Sequence, residues 1–251
     1  MGQLENKVAV ITGAASGIGK ATALLFAKEK AKVVVSDINE EDGNKTVEEI
    51  KAAGGNAIFV KANTASVEDN EHLVKETVKA FGGLHISVNN AGVGSEFSKV
   101  ADVKLEDWKR VIDINLSGVF YGMKYQIPAM IKSGGGSVIN IASILGQTAF
   151  GGSSAYVAAK HGVVGLTKTG AIDHASDQVR VNAIGPGFVY SGLVNEDTMG
   201  KEAIKDLEQK HAMHRLGEPE EVAATCLFLA SDASSFVTGA YYPVDGGYLA
   251  F

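Results

Sequence analysis

The sequence predicts an α/β protein: a parallel sheet with helices on both faces, read as one domain over residues 1–251. Three observations carry this expectation. Short runs rich in β-branched residues alternate with longer stretches whose apolar residues recur every three to four positions, as in successive strand–helix–strand units. The short runs are apolar with little polar alternation, so both faces of the sheet should be covered. No linker, charged block or internal repeat divides the 251 residues, a length at the upper end for one domain.

The first strand is expected at 8–12. It runs into "ITGAASGIGK", which opens a helix over 18–30. Gly13, Gly17 and Gly19 permit a tight turn and a close approach of backbone to a pyrophosphate, with the helix N-terminus aimed at its charge. No Gly-Lys-Ser/Thr follows, which excludes a P-loop. The second strand, 32–36, leads to Asp37 in "VVVSDIN", twenty-four residues past Gly13. A carboxylate there accepts from both hydroxyls of an adenosine ribose and repels a 2′-phosphate. No Arg or Lys stands at 14–16 or 38–39 to welcome one. A helix at 40–53, a strand at 57–61 and a helix at 67–81 precede the strand 86–89. That strand ends in "VNNAG", where asparagines can tie neighbouring loops together and Ala91-Gly92 admits a ligand to the backbone.

A long helix is expected at 105–131 and a strand at 137–141. The next helix, 154–175, contains "YVAAK", which places Tyr156 and Lys160 at i and i+4 on one face. An ammonium beside a phenol favours the phenolate, so the pair suits an acid–base tyrosine. A strand at 179–183 is followed by irregular chain from about 185 to 200, long enough to suggest function. A helix at 220–230 and a strand at 241–244 complete the order.

Composition narrows the function classes. The net charge of −6, without a basic block, argues against nucleic acid or an anionic membrane as partner. Cys226 is the one cysteine, so no intrachain disulfide forms and a reducing cytoplasm fits. No apolar run reaches a membrane span. Asn6 stands where a myristoylation signal wants Ser or Thr. One cysteine and scattered histidines exclude a zinc-type alcohol dehydrogenase, and no metal site is expected. Ser143 lacks the elbow of a serine hydrolase. All six histidines are read as structural, with His211 and His214 near the base of the irregular segment.

Taken together, TGAASGIG, NNAG, Asn115 in "VIDINLSG", Ser143 in "NIASILG", "YVAAK", "VNAIGPG", "RLGEPEEVA" and "FVTGAYYPVDGGY" resemble the short-chain dehydrogenase/reductase family nearly end to end. The resemblance implies a Rossmann-type, doubly wound sheet of seven parallel strands and a bound nicotinamide dinucleotide. It implies Tyr156 as general acid–base, Ser143 bonding the same substrate oxygen, and Lys160 lowering the Tyr156 pKa while holding the nicotinamide ribose. Asn115 would sit at a helix break, holding water on a proton path to Lys160. The cofactor, expected to be NAD(H), would meet Gly13, Ser16, Gly17, Ile18, Gly19, Asp37, Ile38, Asn63 and Thr64 at its adenosine and pyrophosphate end. Asn90, Ala91, Gly92, Tyr156, Lys160, Pro186, Gly187 and Val189 would meet the remainder. Asn63 replaces an Asp common in relatives, and Ser191 is the nearest hydroxyl to a position where many carry Thr.

The substrate pocket is expected between 94–97, 144–152 and 188–213, the last acting as a lid. Its expected lining is Ile144, Leu145, Phe150, Tyr190, Leu193 and Met199, apolar and without an Arg to clamp an anion. That favours a hydrophobic ketone or its secondary alcohol. The alternatives are a 3-oxoacyl-carrier-protein reductase, disfavoured by Asp37, and a dinucleotide-binding sensor without chemistry. Apolar residues on the 105–131 and 154–175 stretches, such as Val111, Ile114, Val119, Met123, Val163, Leu166 and Ile172, suit a symmetric interface. The resemblance implies that these helices form a four-helix dimer seam, and with a second interface at the C-terminal region ending "GGYLAF" a homotetramer is expected.

Overall fold

The computed structural model describes residues 2–192 and 194–250. Its centre is a seven-stranded sheet in the order β3-β2-β1-β4-β5-β6-β7, every pairing parallel. The strands are β1 (Val8–Thr12), β2 (Lys32–Asp37), β3 (Asn56–Lys61), β4 (Ile86–Asn89), β5 (Gly136–Ile141), β6 (Val179–Pro186) and β7 (Tyr241–Val244). Chain order reverses direction between β1 and β4. The C-terminal strand ends flanking that switch are where such sheets bind ligands.

Successive strand residues point to opposite faces. Ile11, Val33 and Val35 join one buried cluster, with Phe26 and Cys226. Val10, Val34 and Val138 join the other, with Met123 and Val163. The first cluster is covered by α1 (Gly17–Lys28) and α9 (Pro219–Ala230), which pack on each other. The second is covered by α3 (Val67–Phe81), α5 (Gly118–Lys132) and α6 (Ser154–His174). The helix α2 (Glu40–Ala52) flanks β2 and β3.

Three features differ from the sequence expectation. The helix expected at 105–131 is broken into α4 (Leu105–Ile112), a π-helical turn (Asp113–Ser117) and α5. The turn centres on Asn115, whose side chain pairs with the backbone of Val93, the kind of inserted turn often found at functional sites. Strand β6 continues past its expected end at 183 to Pro186, because β7 pairs with it along that length. The irregular segment itself holds a short helix, α7 (Glu196–Met199), and is followed directly by another, α8 (Lys201–Gln209). Ile204 and Leu207 of α8 pack with Leu216, Phe188, Tyr190 and Val194 into a small core of their own.

The apolar residues read as surplus surface are mostly interior. Val111, Val119, Met123 and Val163 are buried in the chain's own core, whereas Ile172 is 81% exposed. The exposed apolar side chains on α4 and α5 are instead Leu105, Trp108, Phe120 and Ile131. No helix among the described residues is long and apolar enough to cross a membrane.

Candidate active site

The glycine turn lies between β1 and α1. Gly13 (φ +64°) and Gly17 (φ +52°) take left-handed backbone conformations, which side-chain-bearing residues rarely adopt. Gly19 is needed for space instead: a Cβ there would lie 2.2 Å from the Gly13 carbonyl oxygen. Gly19 therefore packs the turn from behind and does not line the cleft. The first turn of α1 carries no acidic residue, and Ser16 makes no side-chain cap. Its N–H groups are thus left to an incoming anion.

Asparagines anchor the turn. Asn90 Nδ2 donates to the carbonyls of Thr12 (2.9 Å) and Gly13 (3.2 Å), while the Thr12 hydroxyl accepts from the N–H groups of Asn90 and Ala91. Asn89 points inward to Gln126 and Asn140, and Asn140 reaches Thr167 on α6. That buried amide network locks β4 and β5 to α5 and α6. At the end of β2, Asp37 accepts from the backbone of Ala15 (3.1 Å) and Asn39 (3.0 Å). Its carboxylate is thereby fixed at the rim beside Ile38, an apolar side chain left 67% exposed.

A cleft of about 690 Å³ runs along the strand ends from Asp37 and Ile38 to Phe150 and Met199. Ser16, Ile18, Asn63, Thr64, Gly92, Pro186, Gly187 and Val189, all read from the sequence as cofactor contacts, line it. So do Ile144 and Leu145 beyond Ser143. Asp37 and Lys160 are the charged residues among its described lining.

Ser143, Tyr156 and Lys160 meet mid-cleft. Ser143 follows β5 in extended conformation, and its Oγ accepts from the Leu145 N–H (3.1 Å). Its own O–H is therefore the donor left to point into the cleft. Lys160 is 3% exposed, and its ammonium donates to the Ile141 carbonyl at 2.8 Å and lies 5.5 Å from the centre of the Tyr156 ring. Burial pushes Lys160 down to about 8. Burial also raises the Tyr156 pKa, opposed by a hydrogen bond from Ser143 that lowers it. In the chain alone desolvation is the larger influence on the phenol, and Ser143 works the other way.

Asn115 is fully buried and does not line the cleft. Its Oδ1 accepts from the Val93 N–H and its Nδ2 donates to the Val93 carbonyl, both at 2.8 Å. Its amide thus holds the segment after β4.

The far end of the cleft is aromatic. Phe97, Phe150 and Phe188 form an edge-to-face series with centroid separations of 6.4 and 6.2 Å. Gly152 (φ +83°) makes room for Phe97, whose ring lies 2.4 Å from where a Cβ would be. A Ser98 N–H bond to the Gly152 carbonyl ties the two loops. Phe97 and Phe188 were absent from the expected lining, although the segments bearing them were expected as walls. An aromatic at a wall-forming loop end was the available signal. Tyr190 belongs to the small core under α8 and not to the cleft. Leu193 lies outside the described residues. Buried His211 accepts from the Phe188 N–H and contacts the Leu207 carbonyl, so it fixes the base of the 188–213 segment. No cluster of potential metal ligands occurs among the described residues.

Comparisons with known proteins identify what the chain is similar to. A family model described as enoyl-(acyl carrier protein) reductase matches residues 13–249. The chain is 49% identical over 246 residues to cyclohexanol dehydrogenase of Acinetobacter sp., covering 98% of this chain and 96% of that one. It is 40% identical to a 3-oxoacyl-(acyl-carrier-protein) reductase of Thermotoga maritima, covering 98% of both. Carveol dehydrogenase from Mycobacterium avium, solved in complex with NAD, superposes with a TM-score of 0.96 at 31% identity over the full length of both chains.

Proposed function

The chain belongs to the short-chain dehydrogenase/reductase family, and on that premise we propose that it is an NAD(H)-dependent oxidoreductase interconverting an uncharged, hydrophobic, cyclic ketone and its secondary alcohol. The observation that carries the reading is the cleft's charge pattern: Asp37 at one end, Lys160 at the centre, and an uncharged aromatic wall at the other end. Apart from Lys160 at the centre, no cation among the described lining residues would pair a 2′-phosphate, a carboxylate or a substrate phosphate. The names of the cyclohexanol and carveol dehydrogenases support a ring-shaped substrate.

The residues present fit a dinucleotide. The open first turn of α1 with Gly13, Ser16, Gly17 and Ile18 would hold the pyrophosphate, and Asp37 the adenosine ribose. Ile38, Asn63 and Thr64 would flank the adenine. Asn90, Ala91, Gly92, Pro186, Gly187 and Val189 would line the nicotinamide half. A bound nicotinamide supplies or accepts the hydride. In ketone reduction Tyr156 gives its phenolic proton to the substrate oxygen as the alcohol forms, and in oxidation it takes that proton back. The Ser143 O–H donates to the same oxygen and orients it. Lys160, protonated at neutral pH, favours the transient phenolate and would bond the nicotinamide ribose. The proton returns to Tyr156 through Lys160 and a water held by the Asn115 carbonyl. The 188–213 segment closes over the substrate as a lid. The chain works as a homotetramer in the cytoplasm.

Reduction of cyclohexanone, glucose and an acetoacetyl thioester, each with NADH and NADPH, tests this reading. Cyclohexanone with NADH should lead. Faster thioester turnover would favour the carrier-protein reductase reading, which the Thermotoga relative keeps in view.

A further inference from the structure

We propose that Tyr241 is a positioning residue for catalysis: from β7 it reaches across β6 and tethers the main chain of Ser143, setting the aim of the Ser143 hydroxyl. The proposal rests on the reading of Ser143 and Tyr156 as the pair that handles the substrate oxygen.

The geometry begins with sheet order. Ser143 follows β5, β6 lies next to β5, and β7 lies outside β6. Tyr241 pairs with Ala183, yet its hydroxyl donates to the Ser143 carbonyl at 2.8 Å. The ring can cross β6 only because residue 185 is glycine. A Cβ on Gly185 would sit 1.9 Å from the Tyr241 hydroxyl oxygen and 2.2 Å from its Cζ. Gly185 does not have positive φ, so space and not backbone freedom explains it. Two residues on different strands thus fit together to deliver one hydrogen bond to the residue after β5.

That bond completes a set of restraints on 141–143. The Ile141 carbonyl accepts from Lys160 (2.8 Å), and the Ala142 N–H donates to Ile184 (2.8 Å). The Ser143 carbonyl accepts from Gly146 (2.8 Å) as well as from Tyr241. Tyr241 is the restraint that comes from the sheet edge, and burial keeps its phenol protonated well beyond the ordinary range. It therefore stays a donor across the working pH. Without it, the Ser143 main chain is held from one side by its own 3₁₀ turn, and its hydroxyl is freer to drift from the Tyr156 oxygen.

The test uses the full-length chain with cyclohexanol and NAD. Tyr241→Phe keeps the ring and removes the donor. We expect about a tenfold loss of kcat, since small misplacements of a catalytic group cost one to two orders of magnitude, with the KM for NAD unchanged. The ionisation governing alcohol oxidation should move to higher pH, because Ser143 is what holds the phenol down. Gly185→Ala, which drives the hydroxyl away, should show the same pattern and serves if Tyr241→Phe folds poorly. In a Ser143→Ala background, Tyr241→Phe should cost no further kcat. An unchanged kcat and pH profile, or an equal loss in both backgrounds, overturns the tether. A Tyr156→Phe control that stayed active would overturn the reaction assignment together with it. An inactive control beside an intact Tyr241→Phe overturns the tether alone.

Discussion

Lys160→Met should make the protein more stable while abolishing its turnover. Holding the buried ammonium at about 8 instead of 10.5 costs the folded chain about 3 kcal/mol at neutral pH. Methionine fills a similar volume without a charge. It forfeits the bond to the Ile141 carbonyl, worth about 1 kcal/mol. The net expectation is a gain of about 2 kcal/mol at pH 7. The sign follows from linkage. Below pH 8 both folded and unfolded chains carry the proton, so the full penalty stands. Between 8 and 10.5 the folded chain releases its proton first, the unfolded chain binds more protons, and wild-type stability rises with pH. The advantage of the variant should therefore shrink to about 1 kcal/mol at pH 9. Urea unfolding of both proteins without cofactor at pH 7, 8 and 9 reads this directly. A variant less stable than wild type at pH 7, or a gap that does not narrow as pH rises, would refute the reasoning. Confirmation would mean that the site stores a cost which catalysis, not folding, maintains.

Other outcomes follow from the same site. NADH should be preferred over NADPH by about 100-fold or more in kcat/KM, since a 2′-phosphate would face the Asp37 carboxylate unpaired. Asp37→Ser should narrow that ratio by improving NADPH use, and steady-state kinetics with both cofactors decide it. Sedimentation at micromolar concentration should give a homotetramer, with the exposed Trp108 and Phe120 on α4 and α5 in its interface. Trp108→Glu should then dissociate it, and a monomeric wild type would remove the basis for this expectation.

The strands were legible because a sheet buried on both faces has no alternative to continuous apolar runs, and 8–12, 86–89 and 241–244 coincide with the observed limits. The cofactor end was legible for a different reason: Gly13 and Gly17 need left-handed backbone, and the chain states that need locally. What escaped depends on contacts between distant segments. The π turn at Asp113–Ser117 exists because Asn115 grips Val93, and nothing in its own helical pattern records that. The helix α8 offers only Ile204 and Leu207 as buried anchors, too few for a periodicity to stand out. Phe97 shows its importance only through Gly152, and Tyr241 only through Gly185. The surplus apolar surface read from helix periodicity was wrong for Val111, Val119, Met123 and Val163, because α4, α5 and α6 bury those side chains against the sheet and each other.

The most direct measurement is the oxidation of cyclohexanol with NAD by Tyr156→Phe beside the wild type. The phenol oxygen is the one atom removed, and its assigned work is proton transfer. The expected result is a loss of roughly a thousandfold or more in turnover, with NADH binding and thermal unfolding unchanged. A variant that kept a tenth of the wild-type rate would contradict the account.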